Sequence, residues 1–315
     1  MHTLQIASTL LFILFQTALS AQSPAFEVPE PDLFPEGITL DSATGKFYIS
    51  SIAKNKIIEV SDGATKDFIR SGEYGFVGGL GIHIDAVHQI LWACSGDLEG
   101  NTYTTGIFGF DLASRRLRYR YFLASDTVRN FFNDLAIAAS GDVFITNSDN
   151  HSIWYWKHKA LRPEKLPCAG VYEPNGIAWD EHRKLLFVAT RQGLMSLSPD
   201  SKKAILLTMA SGDSHGLDGI VLYKNSIIAV RNGFRDKTKH AVVRFDLSAD
   251  GNRVEQSTVV DQNNIAFNIP TTLVIRGNHL FVIGNSQMDM LDQKKHTDPN
   301  QPLKKPVILK YKLID

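Results

Sequence analysis

A six-residue pattern recurs six times along the chain. It reads Glu36-Gly37-Ile38-Thr39-Leu40-Asp41, then Leu80-Gly81-Ile82-His83-Ile84-Asp85, then Asn133-Asp134-Leu135-Ala136-Ile137-Ala138. It returns as Asn175-Gly176-Ile177-Ala178-Trp179-Asp180, Asp218-Gly219-Ile220-Val221-Leu222-Tyr223 and Thr271-Thr272-Leu273-Val274-Ile275-Arg276. From one second position to the next (37, 81, 134, 176, 219, 272) the steps are 44, 53, 42, 43 and 53 residues. A period in the forties is the mark of a four-stranded propeller blade. Each repeat continues with a second β-rich run, such as Lys46–Ser50, Asp142–Thr146 or His279–Ile283, and a third, such as Lys56–Val60 or Val307–Tyr311. These runs are rich in β-branched and aromatic residues and are bounded by Gly, Asn and Asp turns. No segment keeps a capped 3.6-residue period, so no long helix is expected.

Five repeats carry a fourth, more polar run, for example Lys66–Ile69 or Leu117–Tyr121; the sixth ends after its third. Phe26-Glu27-Val28 precedes the first repeat and has no partner there. Pairing this orphan strand onto the last blade would close the ring and remove an open edge. The expected fold is all-β, a six-bladed propeller with four-stranded blades whose N-terminal strand completes the last one. It forms one domain over 22–315. A β-sandwich would leave the sixfold recurrence without a cause.

The apolar run Leu10–Phe15 is too short to span a bilayer and is followed by small residues up to Ala21. Residues 1–21 therefore read as a secretory signal peptide, although the leading segment lacks Lys and Arg, and the mature chain is expected to be secreted or periplasmic. Formal charge is zero, with 33 basic and 33 acidic residues, which offers no electrostatic case for nucleic acid. Cys94 and Cys168 lie in different repeats and read as free thiols.

The first position of the pattern carries the chemistry. In a propeller the first strand of each blade lines the central channel, so the residues entering it converge at one mouth. Glu36, Asn133, Asn175 and Asp218 are four oxygen donors at one equivalent place. Two carboxylates and two amides suit Ca²⁺, which takes six to eight oxygens; zinc would call for His and Cys. Asp218 is the candidate catalytic carboxylate, as general base or nucleophile beside the ion. Asp134 is a candidate supporting group behind the ligands. The presumed mouth is flanked by Phe34, Tyr74 and Phe76, and the candidate substrate contacts are Leu80, Phe131, Phe132, Tyr172, His215, Phe267 and Thr271. That rim favours a small-molecule substrate with a hydrophobic portion. His83 lies inside a first strand and is expected away from the mouth. The polar insertion Ser286–Lys305 reads as a solvated loop, with a mobile lid as the alternative.

Pro35-Glu36-Gly37-Ile38, Asn133-Asp134, Pro174-Asn175-Gly176-Ile177 and Leu217-Asp218-Gly219-Ile220 resemble, in that order, the signature of the senescence marker protein/gluconolactonase (regucalcin-type) family. They are also similar to squid-type phosphotriesterases and to paraoxonases. The resemblance implies a calcium-dependent hydrolase in which Glu36, Asn175 and Asp218 bind calcium and Asn133 binds calcium or positions substrate. Two departures stand out. Sugar-lactone members carry an Arg where this chain has Phe131, and paraoxonases place a catalytic His where it has Leu80. The expected activity is hydrolysis of a lactone or ester; the alternatives are a phosphotriesterase and a non-catalytic, calcium-pinned binding propeller.

Overall fold

The structure, a computed structural model, describes residues 24–97, 104–125, 127–233, 236–291, 297–298 and 301–314. The expected signal peptide lies outside them. Six antiparallel sheets follow one another around a ring. Blades 1 to 4 run Pro35–Ile69, Gly79–Leu123, Phe132–Lys165 and Ile177–Leu206, each with its strands in simple sequential order. Blade 5 spans Leu217–Gln262 and carries an added edge, Thr208–Met209, parallel to Arg253–Val254. The only helical turns among the described residues are three 3₁₀ segments, Glu73–Gly75, Lys237–Lys239 and Met288–Met290.

Blade 6 is assembled from both ends of the chain. Its strands Leu273–Arg276, His279–Ile283 and Val307–Lys312 are completed by Pro24–Glu27, with Phe26 opposite Ile308 and Glu27 opposite Val307. Val28 N–H then donates to Pro306 O at 2.8 Å, and Val28 and Leu33 are fully buried. Phe26 lies 5.1 Å from Phe47 of blade 1, which is itself 4.9 Å from Phe281 of blade 6. One strand thus joins three elements, as the missing fourth run had implied.

The inner strands explain the sequence pattern. In blades 1, 2, 3 and 5 the ladder slips between Pro35 and Ile38, Gly79 and Ile82, Phe132 and Leu135, and Leu217 and Ile220. The first two positions of the motif therefore sit in a β-bulge, a device that re-aims a side chain out of the pleat. Two residues earlier the backbone turns through the left-handed region in five blades, at Phe34 (φ 49°), Gly78 (59°), Glu173 (44°), Gly216 (67°) and Ile269 (54°). For the three that are not glycine this costs about 1–2 kcal/mol each.

The glycine at the second position is there for space. None of Gly37, Gly81, Gly176 and Gly219 has a positive φ. A Cβ at Gly37 would lie 2.4 Å from Leu80 O, at Gly81 2.7 Å from Asp134 Cα, at Gly176 2.3 Å from Asp218 O, and at Gly219 2.8 Å from Thr272 Cα. In each case the obstacle is the next inner strand. Where the glycine is missing, a polar side chain makes the join. Asp134 Oδ2 accepts from Ile177 N of blade 4 at 3.3 Å. The hydroxyls of Thr271 and Thr272 both donate to Glu36 O of blade 1, at 2.9 and 2.6 Å.

The blade 6 insertion does not merely hang in solvent. Met288, Met290, Leu291 and Leu303 pack against the buried cluster that holds Phe34, Ile52, Leu80 and Phe132. Gln287 fixes its two arms by exchanging hydrogen bonds with Lys304 O and Lys304 N, both at 2.8 Å. Cys94 and Cys168 are both free and lie in different clusters.

Removing residues 24–31 should lower stability by roughly 3–5 kcal/mol, beyond the range of most single substitutions. Thermal unfolding of the truncated chain checks this; an unchanged Tm would show that blade 6 stands without its fourth strand.

Candidate functional site

In blades 1, 2, 3 and 5 the bulge brings the first-position side chain to the channel. Glu36 is 6% exposed and its Oε2 has no hydrogen-bond partner. Burial drives its pKa well above the ordinary carboxylate range, and the charges of Asp218 and Asp134 push the same way. Asp218 is equally buried. Burial foremost, aided by the Asp134 charge, lifts it to about 7, against hydrogen bonds from the amides of Asn232 and Asn175. Asn232 Nδ2 donates to Asp218 Oδ2 at 3.0 Å, and Asn232 Oδ1 is buried without a donor. Asn133 Nδ2 donates to Ser148 Oγ at 3.0 Å, and Ser148 Oγ donates to Pro174 O, next to Asn175, at 2.6 Å. The amide nitrogens thus face protein acceptors, and Asn232 Oδ1 is left without a donor.

Among the described residues no three His, Cys, Asp or Glu side chains converge as a metal-binding group. A cation here depends on amide oxygens as well as on Glu36 and Asp218. The set is all oxygen, and two of its atoms, Glu36 Oε2 and Asn232 Oδ1, are buried acceptors without donors. A hard cation satisfies both conditions, so the residues present fit calcium.

Asn232 was not singled out from sequence. Ile52, Gly96, Ser148 and Asn232 each donate a backbone N–H to the residue two before the motif: Phe34, Gly78, Phe131 and Gly216. They are equivalent positions in blades 1, 2, 3 and 5, at or just past the end of the second strand. Ser286 N–H makes the same bond to Ile269 O in blade 6, at 3.4 Å, so reading this second register picks out Ser148, Asn232 and Ser286 as its polar members.

The other expected site residues are placed as follows. Asp134 is 4% exposed; its carboxylate accepts from Leu135 N at 2.8 Å and from Ile177 N, tying blade 3 to blade 4 behind the ligand residues. Thr271 spends its hydroxyl on Glu36 O. Leu80 and Phe132 are fully buried between blades, with the ring of Phe132 5.6 Å from that of Trp154. Phe131 is half-buried against that same cluster. Phe267 is 8% exposed and packs between blades 5 and 6. Tyr172 is exposed, with its ring 4.2 Å from that of His151, and His215 is exposed and bonded to Asp213. His83 does not stand among the first-position residues. Its Nε2 lies 3.4 Å from Asp134 Oδ1, and it borders a cavity of about 10 Å³ deeper in the channel, room for about one water.

No family model and no curated protein sequence matches the chain. Among solved structures it is similar to a gluconolactonase of Xanthomonas campestris, with a TM-score of 0.60 at 14% identity over 92% of this chain and 88% of that one. A calcium-binding protein, regucalcin, of Agrobacterium tumefaciens matches with a TM-score of 0.60 at 20% identity, over 92% and 96%. The PQQ-bound aldose sugar dehydrogenase of Streptomyces coelicolor gives 0.60 at 13% identity, over 93% and 97%. At these identities the likeness is one of fold, and the fold serves more than one chemistry.

The raised acids give a pH signature. An acid whose folded pKa lies above its unfolded value holds its proton more tightly when folded. The stability this lends is complete below the unfolded value near 4 and is lost as pH rises through about 7, the folded value for Asp218. In calcium-free protein, Asp218→Asn should therefore gain on wild type as pH rises from about 5 to 8. Paired melting curves test this; a difference in Tm that does not change with pH would contradict it.

Proposed function

We propose that the chain is a calcium-dependent hydrolase of lactones or related esters with a partly hydrophobic body, the class to which its motif is similar. The observation that carries the reading is the pair of buried acids, Glu36 and Asp218, set at the channel mouth with orphaned acceptor oxygens and amide neighbours. The likeness in fold to a gluconolactonase and to a calcium-binding regucalcin supports it.

Glu36, Asn175 and Asp218 would hold calcium, with Asn133 and Asn232 within reach of the same group of residues. Bound there, calcium supplies a Lewis acid for a carbonyl oxygen and a counter-charge for the oxyanion that forms. The protein's part is position and proton transfer. Asn232 and Asn175 hold the Asp218 carboxylate by their amides, so it meets an attacking water in a fixed orientation. Asp218 takes the proton from that water. Glu36 is anchored through its backbone carbonyl by Thr271 and Thr272, which keeps its side chain over the channel. The half-buried Phe131 and the exposed Tyr172 give the rim an apolar character, which favours a substrate with a hydrocarbon or aryl arm. The mature protein would act outside the cytoplasm once residues 1–21 are removed.

Asp218→Asn should keep the fold and lower kcat on the best lactone or aryl ester by on the order of 10²–10⁴-fold. Glu36→Gln should chiefly weaken calcium affinity, with its rate partly restored at high calcium. Equal rates for wild type and Asp218→Asn would overturn the mechanism. A lack of turnover on lactones, esters and phosphotriesters alike, with calcium bound, would leave a binding propeller. With Phe131 in place of the family's Arg, gluconolactone should be turned over more slowly than an apolar lactone; comparison of kcat/KM for the two decides this.

A further inference from the structure

The propeller closes without the segment that joins the second and third strands of blade 6, yet that segment builds the wall of a second cleft. Between it and the last loop of blade 5 lies a cavity of about 780 Å³. This falls in the usual range for a small-molecule site. One side is apolar. Ile265 is fully exposed at its edge, Phe267 and Val307 form part of its lining from blades 5 and 6, and Met290 and Pro302 come from the insertion. The other side is cationic: among the described residues, Lys237, Lys304 and Lys305 line the cleft against a single carboxylate, Glu27. Lys237 is paired with Asp289 at 2.9 Å and Lys305 with Glu27 at 3.8 Å. Lys304 is exposed and has no ion pair among the described residues, although its backbone is held on both sides by Gln287.

We propose that this cleft binds an alkyl carboxylate, the chain lying along Ile265, Phe267 and Met290 and the carboxylate on Lys304. An apolar trough ending in an ammonium that has no ion pair among the described residues selects an anionic amphiphile over a neutral or cationic one. The described parts of the wall are held in place before any ligand arrives, by the hydrogen bonds of Gln287 to Lys304, by the Lys237–Asp289 pair and by the half-buried Met288 and Met290 packed on the core. Asn268 adds a buried Oδ1 without a donor at the same cleft, which a hydroxyl on the chain would satisfy. A lactone opened at the channel mouth would leave as a member of this ligand class. The proposal does not rest on that reaction, since no first-position residue lines the cleft.

Calorimetric titration of the full chain with decanoate, decanol and decyltrimethylammonium, each below its micelle concentration, tests the assignment. Decanoate should bind with one site per chain, decanol at least about tenfold more weakly, and the cation not at all. Ile265→Asp and Lys304→Glu both alter exposed side chains, and each should weaken decanoate at least about tenfold while leaving the Tm unchanged. Asp218→Asn and calcium-free protein should bind decanoate as wild type does. Absence of decanoate binding, equal binding of the cation, or unchanged affinity in both cleft variants would overturn the proposal. So would loss of binding in Asp218→Asn alone, which would place the carboxylate at the channel mouth.

Discussion

Neighbouring inner strands approach one another more closely than a side chain allows, and this contact around the channel sets the rest of the molecule. Four of the six junctions have a glycine whose absent Cβ makes room for the next strand's backbone or Cα. The other two are made by polar side chains, Asp134 reaching blade 4 and the paired threonines reaching blade 1. The same bulges that allow the approach turn the preceding residue toward the axis. Ring closure and site construction are therefore one structural event. A side chain at Gly37 or Gly176 would push apart the strands that carry Glu36, Asn175 and Asp218.

The site is a place where stability is given up. Burial raises the proton affinity of Glu36 and Asp218, the Asp134 charge adds to both, and Glu36 Oε2 and Asn232 Oδ1 face no donor. A buried acceptor without a donor costs on the order of 1–3 kcal/mol. Phe34, Glu173 and Ile269 add left-handed backbone just ahead of the motif. A propeller with six interlocking sheets can hold such strain at its centre, because the surrounding ladders fix the positions of the strand ends.

Much of this was legible because it repeats. Six copies of one motif gave the number of blades, the orphan Phe26-Glu27-Val28 gave the closing strand, and the first register gave Glu36, Asn175 and Asp218. What escaped is what differs from blade to blade or depends on phase. Asn232 lies in a second register whose members Ile52, Gly96, Ser148, Asn232 and Ser286 share no one chemistry. Alternation alone does not bring His83 to Asp134, because the bulge between Gly79 and Ile82 shifts the phase of that strand. The aromatics near the motif could not be sorted by type. Phe132 and Phe267 are buried between blades while Tyr172 is exposed, and composition says nothing of which way each ring points.

The closing strand also bears on how the chain comes to be folded. Pro24–Glu27 is made long before Val307–Lys312, its partner, because five blades lie between them in the chain. At roughly 5–20 residues per second the first strand waits on the order of tens of seconds with an unpaired edge. Such an edge is a template for the wrong neighbour, and proteins blunt it with proline and charge. This segment has both: Pro24, Pro29 and Pro31 remove backbone donors, and Glu27, Glu30 and Asp32 place like charges beside them. Blades 1 to 5 can form in order behind the ribosome, whereas the sixth has to be the last to form, and until then the ring stays open at that seam.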